Sequence, residues 1–144
     1  MFKRYVINIF AKSSGLEISA TNKLDADKIP IAGSITMRFF PLEIGKKNCQ
    51  IRFVMEPVEA NDIACAIRCI IKSIVPQRLK MPPHKFSKDD TDILTTLMIE
   101  KYGEPAKFAL VISRGKGNTI NIPMSREKLS LDQAWLSVYE NKVA

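Results

Sequence analysis

Residues 3–11 alternate with a period of two. Tyr5, Ile7 and Ile9 fall on one side, and Arg4, Val6, Asn8 and Phe10 on the other. That period predicts a strand. Lys12-Ser13-Ser14-Gly15 has turn chemistry, and Leu16, Ile18 and Ala20 continue as a second strand, so a hairpin is expected. Thr21 to Pro30 reads as a polar, charged connection. A third strand follows over Ile31–Phe40, with Ile35, Met37 and Phe39 opposed to Thr36, Arg38 and Phe40. Pro41 stops it, and Gly45-Lys46-Lys47-Asn48 forms a basic loop. In the fourth strand, Cys49 to Met55, residues Ile51, Phe53 and Met55 face inward, and Gln50, Arg52 and Val54 outward.

The period then changes. Ile63, Ala66, Ile67, Ile70 and Ile74 lie on one helical stripe, which is expected to cover the sheet. Pro57 suits the first helical turn, Glu59 and Asp62 favour the positive end of the helix dipole, and Pro76 ends the helix. Val75 to Lys88 contains Arg78, Lys80, Lys85 and Lys88 with three prolines and no acid, the composition of a basic linker. Beyond it, Ser87 and Asp90 resemble a capping box before a helix with Ile93, Leu94, Leu97 and Met98 on its apolar face. Gly103 and Pro105 terminate that helix. Phe108–Ser113 and Thr119–Ile122 read as strands joined by a turn at Arg114-Gly115-Lys116-Gly117-Asn118. Ser130 and Gln133 form a further capping box for a last helix carrying Leu131, Trp135 and Val138. The expected fold is α+β, an antiparallel sheet of order ββββα, then a basic linker and an αββα portion. The units are 1–75, 76–88 and 89–144, with the last packed on the first as one domain.

The chain has 144 residues, 46% of them hydrophobic and 26% charged, which is ordinary globular composition. No apolar run approaches the ~20 residues of a membrane helix. Met1-Phe2-Lys3-Arg4 and the stretch after it imitate a signal peptide, but Asn8 interrupts the apolar run and no small-residue cleavage pattern follows. A cytoplasmic protein, not associated with membranes, is expected. Cys49, Cys65 and Cys69 are an odd number with no framework spacing, which argues against a disulfide scaffold. The single histidine, His84, excludes mechanisms that need two imidazoles and reads as a surface residue. The expectation is a non-enzyme without a cofactor.

Net charge is +7. Residues 1–56 contribute +4, residues 57–88 another +4, and residues 89–144 contribute −1. Charge concentrated in this way offers a face to a polyanion. If the helix covers one side of the four-stranded sheet, the other presents Arg4, Asn8, Phe10 and Lys12, then Thr36, Arg38 and Phe40, then Gln50 and Arg52, with Lys46 and Lys47 on the adjoining loop. Cations track phosphates while rings stack on unpaired bases, each worth ~1–3 kcal/mol. Duplexes hide their base faces, so single strands are favoured. Arg4, Lys12, Arg38, Lys46, Lys47 and Arg52 are the expected phosphate contacts, and Phe10 and Phe40 the stacking rings. Arg78, Lys80 and Lys85 would extend the track. The competing arrangement buries Phe10 and Phe40 under the second half.

The ββββα order over residues 3–75, with a basic sheet and a covering helix, resembles the PC4/Whirly group of single-stranded DNA-binding proteins. The resemblance implies a homodimer whose two subunits shape the binding channel, and it favours DNA over RNA as the partner. The alternative function is a protein-interaction or assembly module, or a small inhibitor, that binds a protein through a sheet edge or the C-terminal helix.

Several further signals have ordinary structural readings. Cys65 and Cys69 stand four apart on the helix, but a zinc site needs two more ligands, and only Cys49 and His84 remain. They read instead as a second apolar strip packed on the other half or on a partner subunit. The Arg114 turn lacks the Walker spacing and reads as a hairpin with, at most, a supplementary phosphate contact. Asp89, Asp90 and Asp92 read as helix-start acids.

Overall fold

Alternation carries directly into four strands: β1 (Phe2–Phe10), β2 (Ser14–Leu24), β3 (Pro30–Pro41) and β4 (Ile51–Met55). In the computed structural model, which describes residues 2–24, 26–28, 30–42, 49–115 and 117–138, they form one antiparallel sheet in the order β1-β2-β3-β4. The register aligns Ile9, Leu16, Phe39 and Ile51 across the four strands, and next to them Ile7, Ile18, Met37 and Phe53. These rows are the inner face. Leu16, Ile18, Met37, Phe39 and Phe53 are fully buried.

Helix α1 (Pro57–Lys72) follows, with Pro57 in its first turn, Glu59 near its N-terminus and Lys72 in its last turn. Ala60, Ile63, Ala64, Ile67 and Ile70 are its buried stripe. The chain leaves the helix after Lys72, so Ile74, expected on the covering stripe, is 97% exposed.

The second half departs most from expectation. The stretch expected as a linker carries two short strands, β5 (Gln77–Lys80) and β6 (His84–Lys88), paired with opposite ends of one edge of β7 (Thr91–Tyr102). Pro82 and Pro83 lie between them. Proline offers no N–H to a ladder, so it interrupts an edge strand without abolishing it. Residues 91–102, expected as a helix, are β7. Thr91, Ile93, Thr95, Thr96 and Ile99 are β-branched and favour a strand, and the position between β5/β6 and β8 rewards burial on both faces. Asp89 and Asp90 are therefore not helix-start acids. Both have positive φ, 50° and 60°, and form the two-residue turn joining β6 to β7.

Strands β8 (Lys107–Arg114) and β9 (Asn118–Met124) complete the second sheet, ordered β5-β7-β8-β9 with β6 also on β7. Gly115 and Gly117, at φ 62° and 86°, supply the left-handed backbone that the short β8–β9 turn requires. Helix α2 (Arg126–Val138) begins earlier than the Ser130 capping box implies. Ser125 Oγ accepts the Lys128 backbone N–H at 3.2 Å and is the cap.

The inner face of the first sheet meets both α1 and the second sheet, with β2 and β3 against β9 and β4 against β8; α1 also packs on α2. Ser14 Oγ donates to the Asn121 carbonyl at 2.8 Å, tying β2 to β9. One apolar cluster runs from Leu16 and Phe53 through Ile67 to Leu110 and Leu136. Among the described residues, no helix is long and apolar enough to cross a membrane.

Candidate nucleic-acid interface

The outer face of the first sheet follows from the same register read on the opposite parity. Phe10, Gly15 and Phe40 form one cross-strand row, Asn8, Glu17, Arg38 and Arg52 the next, and Val6, Ser19, Thr36 and Val54 a third. A solvent-facing antiparallel sheet is normally polar on that side. Here Val6 is 45%, Phe10 55% and Val54 52% exposed. Phe10 is thus open to solvent and Phe40 half-buried, which speaks against the arrangement that buries both rings under the second half.

The two rings meet across the glycine between them. Their centroids are 6.2 Å apart at 72°, an edge-to-face contact. A Cβ on Gly15 would lie 2.5 Å from Phe40 Cε2 and Cζ and 3.2 Å from Phe10 Cδ1. The ring tip of Phe40 can swing away, so Gly15→Ala should preserve the fold while separating the rings. The expected result is roughly a fivefold loss of oligonucleotide affinity, about 1 kcal/mol of weakened stacking, with an unchanged thermal midpoint, read by anisotropy and thermal melts.

Arg38 organises the adjoining row. Its guanidinium carbon lies 4.5 Å from the Phe40 ring centroid. Its Nη2 donates to Glu17 Oε2 at 3.1 Å and its Nη1 to Gln50 Oε1 at 3.2 Å. The guanidinium is thereby held over the ring. Arg52 lies directly opposite Arg38 on β4 and is exposed. Like charges directly opposite in a sheet destabilise it. Glu17 offsets part of this repulsion, and a bound anion would relieve more.

Lys12 is exposed in the hairpin loop beside Phe10. Lys128 Nζ donates to the Phe10 carbonyl at 3.1 Å, bringing a cation from α2 to the same corner. Strand parity gave no sign of Lys128, which is 118 residues away in sequence; only the docking of α2 reveals it. Arg4 occupies the β1 position opposite Thr21. Lys46 and Lys47 lie outside the described residues.

The expected extension of the track is dispersed. Arg78 pairs with Glu100 at 2.9 Å on β5, and Lys85 with Asp92 at 3.1 Å on β6, while Lys80 is exposed on β5. None of the three belongs to the outer face of the first sheet. His84 is not a simple surface residue either. Its ring stacks on Phe53, 3.9 Å between centroids and 7° from parallel, and its Nε2 lies 2.6 Å from Glu59 Oε2. The imidazole thus joins the second sheet to both the first sheet and α1.

Cys49, Cys65 and Cys69 are all free and exposed, so Cys65 and Cys69 do not pack on the second half within this chain. Among the described residues, no cluster of three or more His, Cys, Asp or Glu side chains is placed to hold a metal. Three thiols should therefore react at equal rates with and without chelator; protection that chelator removes would indicate a metal.

No protein-family model matches the chain, and no curated protein matches it. Among solved structures it is similar to the crystal structure of WHY1 from Arabidopsis thaliana, with a TM-score of 0.65 and 12% sequence identity over 96% of this chain and 89% of that one. At that identity the likeness is one of fold alone. It extends the Whirly-type resemblance past residue 75, across the second sheet and almost the whole chain.

Proposed function

We propose that this protein binds single-stranded nucleic acid, without catalysis, over the outer face of its first sheet. The observation that carries this reading is the ring pair, Phe10 exposed and Phe40 half-buried, meeting over Gly15 with Arg38 over one and Arg52 alongside. Rings of this kind give unpaired bases a stacking surface, and the flanking cations meet the phosphates. Similarity of fold to WHY1 supports the same reading. DNA is the favoured partner. Phosphate contacts fall to Arg4, Lys12, Arg38, Arg52 and Lys128, and the sequence adds Lys46 and Lys47 as further candidates.

Arg38 has a double task here. It orients Phe40, and part of its charge is already met by Glu17. Arg52 is the better test of the phosphate track. Arg52→Ala should reduce the slope of log affinity against log salt by about 0.7, the value for one phosphate on a single strand. Phe40→Ala should weaken binding while leaving that slope in place. Equal slope changes in the two variants would contradict this division of labour.

A homodimer is part of the proposal. Val58, Cys65 and Cys69 are exposed on one face of α1, interspersed with Asp62 and Lys72 and followed by exposed Ile74 and Val75. Sedimentation equilibrium should give twice the chain mass.

A further inference from the structure

The second sheet carries an aromatic–cation pair of its own. Phe86 on β6 is 41% exposed, and the Arg114 guanidinium carbon lies 4.7 Å from its ring centroid. This repeats the chemistry of Arg38 over Phe40 at 4.5 Å.

Placement follows from alternation. His84 and Phe86 are two apart on β6 and share a face. His84 lies flat on Phe53, so that face is the one turned towards the first sheet. At Phe86 the cover ends and the ring is open to solvent. His84, Thr95 and Arg114 form one cross-strand row, with Phe86 and Ile93 in the next. Gly115 N donates to the Leu94 carbonyl at 3.0 Å and secures the end of the hairpin beside Arg114.

The two aromatic–cation clusters are linked through β4. Arg52 lies on β4, the edge strand of the first sheet, and β4 packs on β8, the strand that bears Arg114, while its Phe53 stacks on His84, two residues from Phe86. Phe40, Arg38 and Arg52 occupy the outer face and Phe86 and Arg114 the face turned towards the first sheet, so a strand that meets both clusters passes round the β4 edge. Burial does not account for a half-open phenylalanine with a guanidinium on it.

We propose that Phe86 and Arg114 form a second binding station for the same single strand. Phe86 takes a base further along the chain, and Arg114 orients the ring and meets a phosphate. This rests on the reading of the first sheet as a single-strand interface. A strand must therefore exceed a minimum length before the second station contributes.

The test measures anisotropy of labelled oligothymidylates from about 4 to about 16 nucleotides, the range of site sizes seen for single-strand binding folds. Phe86→Ala should lower affinity about tenfold for the longest oligomers and leave the shortest unchanged. Phe40→Ala should lower affinity at every length, and Phe86→Trp should retain wild-type behaviour. Arg114→Gln should reproduce the length dependence of Phe86→Ala. If Phe86→Ala matches wild type at all lengths while Phe40→Ala is weak, the second station is overturned and the first-sheet reading stands. Equal losses for Phe86→Ala at every length also overturn it. Absence of binding by the wild-type protein would remove the first-sheet reading itself, and the second station with it.

Discussion

Replacing Phe10 and Phe40 together by alanine is expected to weaken single-stranded DNA binding by about 2–4 kcal/mol, or ~30- to ~700-fold, from ~1–3 kcal/mol per stacked base. The rings touch, so their contributions should not simply add. The effect should appear in binding and hardly at all in folding. Phe10 is more exposed than buried, and neither ring belongs to the buried core cluster. Affinity by anisotropy and stability by urea unfolding on the same preparation separate the two quantities. A large loss of stability with unchanged affinity would assign the rings to structure. The cations should remain effective in the double variant, so residual binding of the shortest oligomers should keep its salt slope and lose its preference for single strands over duplex. Duplex base faces are hidden, so these two rings are what lets the first-sheet site tell the two apart.

Asp132→Asn should stabilise the protein above pH 4, increasingly so up to about pH 8. Asp132 on α2 is fully buried, and among the described residues neither of its carboxylate oxygens has a hydrogen-bond partner. Burial raises its pKa from 3.8 to about 8. The unfolded chain ionises this group near pH 4, whereas the folded chain holds its proton to about pH 8. Between those values the unfolded state is favoured by up to ~1.4 kcal/mol per pH unit, about 6 kcal/mol at most. Below pH 4 both states are protonated and the penalty vanishes; above pH 8 it no longer grows. Urea unfolding at pH 5, 6.5 and 8 should show wild-type stability falling with pH and the Asp132→Asn curve flatter. Parallel curves would mean that Asp132 is satisfied in solution. Asp132 shares its face of α2 with Leu129 and Leu136, both buried, so its burial is set by helix packing. The sequence shows only an acid on an amphipathic helix.

The first half was legible because its strands alternate cleanly and form a simple meander. Once β1 to β4 pair in sequence order, parity alone places Phe10, Phe40, Arg38 and Arg52 on one face. Parity could not show that Gly15 is the seat of the ring contact, or that Glu17 and Gln50 hold Arg38. Those relations depend on register between strands. The second half misled for a physical reason. Ile93, Leu94, Leu97 and Met98 fit a helical stripe, but the same residues serve a central strand covered on both faces, where alternation is lost. The Asp89-Asp90 turn has the left-handed backbone of a hairpin without its usual Asn-Gly signal. With β7 read as a helix, β5 and β6 had no partner and looked like a linker. Phe86 and Arg114 could not be seen as a pair for the same reason: β7 is the strand that stands between them.

The most direct test of the central claim is anisotropy of labelled single-stranded DNA, duplex DNA and single-stranded RNA across a salt series. The expected result is tight single-strand binding, weaker duplex binding, and affinity that falls steeply with salt, with a slope of roughly −0.7 for each phosphate neutralised. No single-strand binding at low salt, or equal affinity for duplex and single strand, would contradict it.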